Sequence, residues 1–379
     1  WQPSNRAEEQ NWYKNILGFC INMIINRNTL AEDICHIIAY NLRLLWLNVE
    51  IYDAIEHAIG VISSRGYWPQ GWIAVCKTLL YGAETMPQDI LERLQSIEIK
   101  LRPVDLLHTA RTYALSPPWG AFDVADREGD DAQGLKSYEK ANRKAKELGR
   151  LVAAQPVILD ALLPDLVQGG AGRQGYFGEG LAEGASDVKV MWKLLIGVYA
   201  NTPIEKQNCA LLRGFIAETS RISKEDASLF LDDATTDSRL FSIFPILQCS
   251  AGIDKNGIER LLKSSRRNLT PEKSYYYLAA GRATDTISHI KLYDLIINIS
   301  NLDDGISVAI EILYMKLASL SDEISHIDKM LISCGRYLLL RCDLKKKNHN
   351  EIYKLAIILK PCLYGPGNIK FFKLFCEKL

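Results

Sequence analysis

The sequence predicts an all-α protein, an α-solenoid of stacked antiparallel helical hairpins with a HEAT-like or TPR-like superhelical arrangement. Between residues 211 and 300 one apolar pattern occurs three times, at intervals of 31 and 34 residues. Helical spacing of apolar residues continues along most of the chain, and no stretch shows convincing strand-like alternation. An interval of this length holds two short helices and two turns, so neighbouring pairs must stack to bury their apolar stripes.

The repeated pattern has four apolar positions, and the last three keep i, i+3, i+4 spacing, which places them on one helix face. The three copies are Ile222, Ala227, Phe230 and Leu231; Ile253, Ile258, Leu261 and Leu262; and Ile287, Leu292, Leu295 and Ile296.

Helical hairpins of the same kind are predicted before the repeats. Thr29 is a candidate N-cap, and Pro103 suits the first position of a helix. The predicted helices cover residues 11–25, 30–45, 49–63, 72–81, 87–99, 103–115, 137–154 and 156–167.

Composition divides the chain into four predicted segments. Residues 1–120 form N-terminal hairpins, and residues 121–136 form an acidic loop or linker because acids there replace apolar residues. Residues 137–340 form the helical-repeat array. Residues 341–379 form a basic helical cap with nine Lys or Arg against three acids, a local charge of +6.

Residues 170–175 match the letters of the GxGxxG dinucleotide fingerprint. That site needs a strand before the glycines, whereas residues 156–167 are predicted to be helical, and no Lys-Ser/Thr pair follows for a Walker A loop. We therefore interpret residues 169–184 as a glycine-rich loop between helices. Its Arg173, Tyr176 and Phe177 are candidate partner contacts.

A second interruption is the sequence Gly-Tyr-Trp-Pro-Gln-Gly-Trp at residues 66–72. Two indoles around a proline-containing turn form either a packed corner or an exposed recognition patch. In the second alternative Trp68 is a contact residue.

The overall composition argues against several functional classes. The formal net charge is zero, which argues against a protein that mainly coats nucleic acid. Nine cysteines without a CxxC motif favour free thiols in a cytoplasmic protein. No apolar run is long enough for a membrane span, and the chain begins at Trp1 rather than Met, so we interpret it as part of a longer protein. The six histidines show no metal-ligand or catalytic spacing, so we expect no enzyme, cofactor or metal.

Two groups of residues resemble a known family. The first combines residues 66–75, GYWPQGWIAV, with the LRPVDL of residues 101–106. The second comprises Leu148-Gly149, LLPDL (162–166), FGEGLA (177–182) and LLRGF (211–215). Together they resemble the C-terminal helical-repeat sensor region of bacterial STAND-type ATPases, the NACHT or NLR-like proteins of anti-phage defence, over roughly residues 40–265.

The resemblance implies a sensor. In that family a nucleotide-switching ATPase and an effector precede a superhelical array, which recognises a viral protein and triggers assembly. We therefore expect a protein partner, a phage protein, and oligomerisation through the full-length protein. With Trp68, Arg173, Tyr176 and Phe177 on the surface, replacing Tyr176 and Phe177 by Ala would weaken binding without loss of stability. The alternative is a nucleic-acid-binding helical scaffold that uses the basic C-terminal segment.

Overall fold

Helices make up all the regular secondary structure that the computed structural model describes, which confirms the predicted all-α helical-repeat class. Within that part of the chain, the only β-type pairing is an isolated bridge between Gln168 and Gln207. The described residues are 5–26, 29–82, 84, 86–116, 136–170, 172–320, 327–344 and 348–378.

The chain divides into two compact units. The first comprises Trp1–Asp187 and Gly197–Leu211, and the second comprises Val188–Ile196 and Leu212–Leu379. The three points of division fall inside or next to helices rather than in long connections.

Alternate helices pack side by side in the first unit, which gives two layers. Helix α1 packs on α3, and α2 packs on α4, which packs on α6. Short 3-10 helices lie at Val49–Ile51 and Ile204–Lys206. The helices are α1 (Arg6–Ile25), α2 (Ala31–Leu45), α3 (Tyr52–Ser63), α4 (Pro69–Gly82), α5 (Gln88–Leu101), α6 (Leu106–Leu115), α7 (Ser137–Ala153), α8 (Pro156–Leu166), α9 (Gln174–Gly184) and α10 (Val188–Asn201), the last shared with the second unit.

The second unit repeats one arrangement, a helix of one layer followed by a helix of the other. A 3-10 helix, Glu272–Ala279, takes the place of an α-helix in the first layer. The α-helices are α11 (Ala210–Ile222), which begins in the first unit, α12 (Lys224–Ala234), α13 (Phe244–Ala251), α14 (Lys255–Arg267), α15 (His289–Ser300), α16 (Gly305–Ala318), α17 (Lys329–Arg341), α18 (His349–Cys362) and α19 (Asn368–Lys378).

Contacts between successive elements define the two layers. In one layer α13, the 3-10 helix, α16 and α18 are consecutive neighbours, and in the other α14, α15, α17 and α19 are consecutive neighbours. Each pair therefore covers the apolar side of the pair before it, as the repeat spacing predicts.

The predicted repeat pattern supplies the core of α12, α14 and α15. All of its twelve positions are buried except Ile222, which is exposed at the end of α11. The Ser223 side chain accepts a hydrogen bond from the Asp226 N–H, and the Asp254 side chain accepts one from the Gly257 N–H. Two of the three helices thus begin with a side-chain N-cap.

Polar contacts also link each repeat to the next, at about one repeat length along the chain. The Arg260 guanidinium donates to both carboxylate oxygens of Asp232, at 2.7 and 2.9 Å. The Thr286 hydroxyl donates to the carbonyl oxygen of Ile253 at 2.7 Å. Lys316, which is buried, donates to the carbonyl oxygen of Thr284 at 3.4 Å. The partners are 28, 33 and 32 residues apart.

Residues 174–184 of the glycine-rich stretch form helix α9 and not the predicted loop. In α9, Gly180 and Gly184 share one face because they are four residues apart. A Cβ at Gly180 would overlap the carbonyl oxygen of Lys146, and one at Gly184 would overlap that of Arg150. On α7, a Cβ at Gly149 would overlap the Phe177 carbonyl oxygen. The glycines let the α7 and α9 backbones touch.

Several local predictions need correction or lie outside the described residues. The N-cap of α2 is Leu30, not Thr29. Helix α6 begins after Asp105, whose side chain accepts the His108 N–H, so Pro103 precedes the helix. The acidic loop 121–136, except for its last residue, lies outside the described residues.

We expect Gly180→Ala to destabilise the protein by about 1–3 kcal/mol or more, since the added methyl group forces two packed backbones apart. Gly60→Ala is the matched control, because Gly60 lies inside α3 with no atom close to the position that a Cβ would occupy, and it should stabilise by about 0.4–1 kcal/mol. Urea denaturation followed by circular dichroism gives both free energies of unfolding. Equal effects of the two substitutions would contradict the close packing of α7 and α9.

The Arg260–Asp232 pair predicts a pH effect. Hydrogen bonding from Arg260 lowers the pKa of Asp232, so its stabilising contribution is complete above the unfolded pKa and is lost as pH falls through the folded pKa. We expect Asp232→Asn to cost about 1–2 kcal/mol at pH 7, since the buried guanidinium loses a charged acceptor. The cost should shrink below about pH 4. Urea titrations at pH 7, 5 and 3 test this, with the neighbouring exposed Asp233→Asn as the control.

Candidate partner-binding site

The turn between α3 and α4 is a packed corner. Trp68 is only 5% exposed, and its ring lies against Gly71, where a Cβ would overlap it. Trp72 is buried, and its indole N–H donates to Glu98 Oε1 at 2.8 Å. The packed-corner alternative is therefore correct. Trp68 is not the freely exposed contact of the recognition-patch alternative, because its indole fills the space that Gly71 leaves open.

Beside this corner lies a cleft of about 690 Å³, the Trp68 cleft. Helices α2, α6 and α8, the end of α3 and the α3–α4 turn contribute its walls. Its polar and aromatic lining residues are Glu32, Cys35, His36, Arg65, Tyr67, Trp68, Gln70, His108, Arg111 and Asp165.

One wall of the cleft is an aromatic pair held by hydrogen bonds. The rings of Tyr67 and His108 lie 4.5 Å apart between centroids. The Tyr67 hydroxyl lies 2.5 Å from the Thr112 hydroxyl, and His108 Nδ1 lies 2.6 Å from Asp105 Oδ2. Burial raises the pKa of Asp105, but hydrogen bonds from His108 outweigh burial and the net pKa is lowered. The Asp105 carboxylate thus fixes the ring orientation of His108.

Two arginines also line the cleft, one from α6 and one from the turn after α3. Arg111 bridges α6 and α8, with Nη2 at 3.3 Å from both the Ala161 carbonyl oxygen and Asp165 Oδ2. Arg65 follows the end of α3 and lies close enough to Cys35 to act on its thiol. Burial raises the pKa of Cys35, and the charge of Arg65 partly opposes that rise.

Helix α2 is apolar on two faces. One face is buried in the unit, whereas Ile37, Tyr40 and Leu44 follow a second face and are exposed, Tyr40 by 89%. Leu47, just beyond the end of the helix, is exposed as well. Glu32, Cys35 and His36, which line the cleft, are on the same helix. A contiguous exposed apolar stripe of this kind marks an interaction surface more often than a free monomer surface.

The other candidate contacts mostly lie inside the protein. Phe177 is fully buried, and Arg173 is buried with its Nε donating to Asn142 Oδ1 at 3.1 Å and its N–H to the Ala114 carbonyl oxygen at 2.8 Å. Burial lowers the pKa of Arg173. Tyr176 alone remains on the surface, at 42% exposure. Arg173 and Phe177 are corrected to core residues because their segment is a packed helix.

Three cations of the basic C-terminal segment are engaged within the protein, and one of them pairs with a carboxylate. Arg341 donates to Asn301 Oδ1 at 2.5 Å, Lys354 pairs with Glu311 at 2.5 Å, and Lys378 donates to the Leu340 carbonyl oxygen at 2.7 Å. Lys345–Lys347 lie outside the described residues. The exposed cations in the described part of this segment include Lys360, Lys370 and Lys373.

The remaining observations concern metals, membranes and thiols. In the described ranges no group of three or more His, Cys, Asp or Glu is arranged to hold a metal ion. No helix in those ranges combines the length and the apolar character that crossing a bilayer requires. All nine cysteines are free thiols. Comparison of the chain with protein-family models, curated proteins and solved structures gives no match.

Sequence reasoning missed most of the Trp68 cleft. Arg65 lies in the turn after α3, whereas His108 and Arg111 lie on α6, and no local pattern brings these two elements together. The exposed face of α2 did leave a signal, because Ile37 and Leu44 extend the apolar positions of this helix beyond one stripe. Apolar residues beyond those needed for one core-facing stripe would have identified the exposed face of α2.

Phe177 and its neighbour Tyr176 on α9 should respond differently to replacement by Ala. We expect Phe177→Ala to destabilise the protein by about 3–5 kcal/mol, since a fully buried ring is lost, and Tyr176→Ala to change stability by less than about 1 kcal/mol. Thermal and urea denaturation of the two single variants measure this. A small effect of Phe177→Ala on stability would contradict the burial of its ring.

Proposed function

We propose that this chain is a helical-repeat recognition module that binds a protein partner through the Trp68 cleft and the exposed face of α2. The observation that carries the proposal is the combination of the two: a cleft lined by Trp, Tyr, His and Arg beside the helix that bears an unpartnered apolar stripe. Aromatic and Arg side chains dominate binding energy at protein interfaces.

The resemblance to bacterial STAND-type defence ATPases makes the proposal more specific. On that basis the module is the cytoplasmic sensor region of a longer anti-phage protein and recognises a viral protein. Binding would control the motor and the assembly of the full-length protein, and the module itself performs no catalysis. The physical support is the two-layer repeat, because stacked pairs present many surface positions on a rigid frame.

The exposed face of α2 gives the sharpest test. Tagged chain is incubated with lysates of phage-infected and uninfected bacteria, and bound proteins are identified by mass spectrometry. We expect a phage protein from infected cells only. The double variant Tyr40→Asp/Leu44→Asp should retain at least tenfold less of it, because charges replace the apolar contact surface.

Ile204→Asp is the matched control, since Ile204 is equally exposed but lies in a 3-10 helix that does not line the cleft. It should bind the phage protein as the unmodified chain does. Equal capture by the Tyr40/Leu44 variant would contradict the assigned surface. Recovery of nucleic acid instead, with retention that falls steeply with salt, would favour the basic segment and its nucleic-acid function.

A further inference from the structure

Two buried donors of the Trp68 cleft have no acceptor. The indole N–H of Trp68 and the Nε–H of Arg111 are both inaccessible to water and make no hydrogen bond with any described residue. Trp68 is 95% buried, and both residues line the same cleft. Buried N–H groups are almost always paired, because an unpaired one loses its hydrogen bonds to water without a replacement. Two of the seven such atoms in the described residues belong to this cleft, and an acceptor carried by a bound segment would pair with them.

Further donors of the cleft are also unused. The side chains of Arg65 and His36 are exposed, and neither forms a hydrogen bond or an ion pair with another described residue. Of the two carboxylates that line the cleft, Asp165 is engaged because it pairs with Arg111. The second is the Glu32 carboxylate. A ligand oxygen would therefore be favoured near the arginines and disfavoured near Glu32.

The charge of the lining decides between types of acceptor. Two arginines face two carboxylates, Glu32 and Asp165, so their formal charges cancel. A dianionic phosphate in this setting would meet two like charges with little net attraction. A monoanionic carboxylate needs only one guanidinium and one or two N–H donors. The cleft volume of about 690 Å³ is also sufficient for a short peptide segment.

We propose that the Trp68 cleft binds an Asp or Glu side chain of an extended acidic segment in the protein partner, with Arg65 as its main ion-pair donor. This inference rests on the proposed function and adds the chemistry of the bound segment. Apolar residues next to the acid would lie on the exposed face of α2, which continues from the cleft along the same helix.

A randomised nonapeptide library, selected on the immobilised full chain, tests the chemistry. We expect the recovered peptides to be enriched in Asp or Glu next to an apolar residue. Calorimetric titration then measures one recovered peptide and its Glu→Gln analogue. Arg65→Gln should lower the affinity for the acidic peptide by about tenfold or more, since a charge-assisted pair is lost. Lys77→Gln removes the same charge from an exposed position on α4 outside the cleft, and should change affinity less than about twofold.

A double-mutant cycle completes the experiment. On the Arg65→Gln variant the acidic peptide and its Gln analogue should bind equally, because the pair has already been removed. Two outcomes would overturn the inference and leave the proposed function standing. One is selection of peptides without acidic enrichment. The other is a loss of affinity on Arg65→Gln that is equal for the acidic peptide and its Gln analogue.

Two other results would also overturn it. The first is Arg65-dependent binding of inorganic phosphate with no peptide selected, which would make the cleft a phosphate site. The second is failure to select any peptide while the phage protein is still captured, which would place the acidic contact elsewhere. Failure of both the selection and the lysate capture would refute the proposed function itself.

Discussion

The structure depends on burial of an apolar stripe that no helical pair can cover alone. In the second unit, Leu261 and Leu295 are fully buried because the next element in the same layer lies over them. The polar contacts from Arg260, Thr286 and Lys316 run in the same direction, from one repeat to the preceding one. Apolar burial supplies the driving force, and these directional bonds fix the register in which successive pairs stack.

The same constraint explains what could be predicted from sequence. The positions around Phe230, Ile258 and Leu292 were recognisable because a repeated stripe must recur at the length of the repeated unit. Most helices were found for the same reason, since helical spacing of apolar residues is local information. Helix ends were less certain, because several residues within one turn can suit a helix start. Asp105 rather than Pro103 marks the start of α6, and Leu30 rather than Thr29 marks that of α2.

The loop prediction for the glycine-rich stretch was wrong for a physical reason. Glycine is intrinsically unfavourable in a helix, so local propensity predicts a loop at residues 169–184. The structure offsets that cost with the backbone contact between α7 and α9, which only residues without a side chain permit. The candidate contacts Arg173 and Phe177 were then misplaced together with their segment. The Trp68 cleft escaped prediction because its residues converge from elements separated in sequence, and convergence is tertiary information.

The α7–α9 contact also limits which changes of sequence this protein can accept during evolution. Gly180 and Gly184 face α7 together only while three residues separate them. One inserted residue between them would rotate the second glycine by about 100° and present a bulky neighbour to the α7 backbone. Length variation should thus be excluded from this short helix and concentrate in the connections between helical pairs. Related chains would therefore keep this spacing even where the flanking letters diverge.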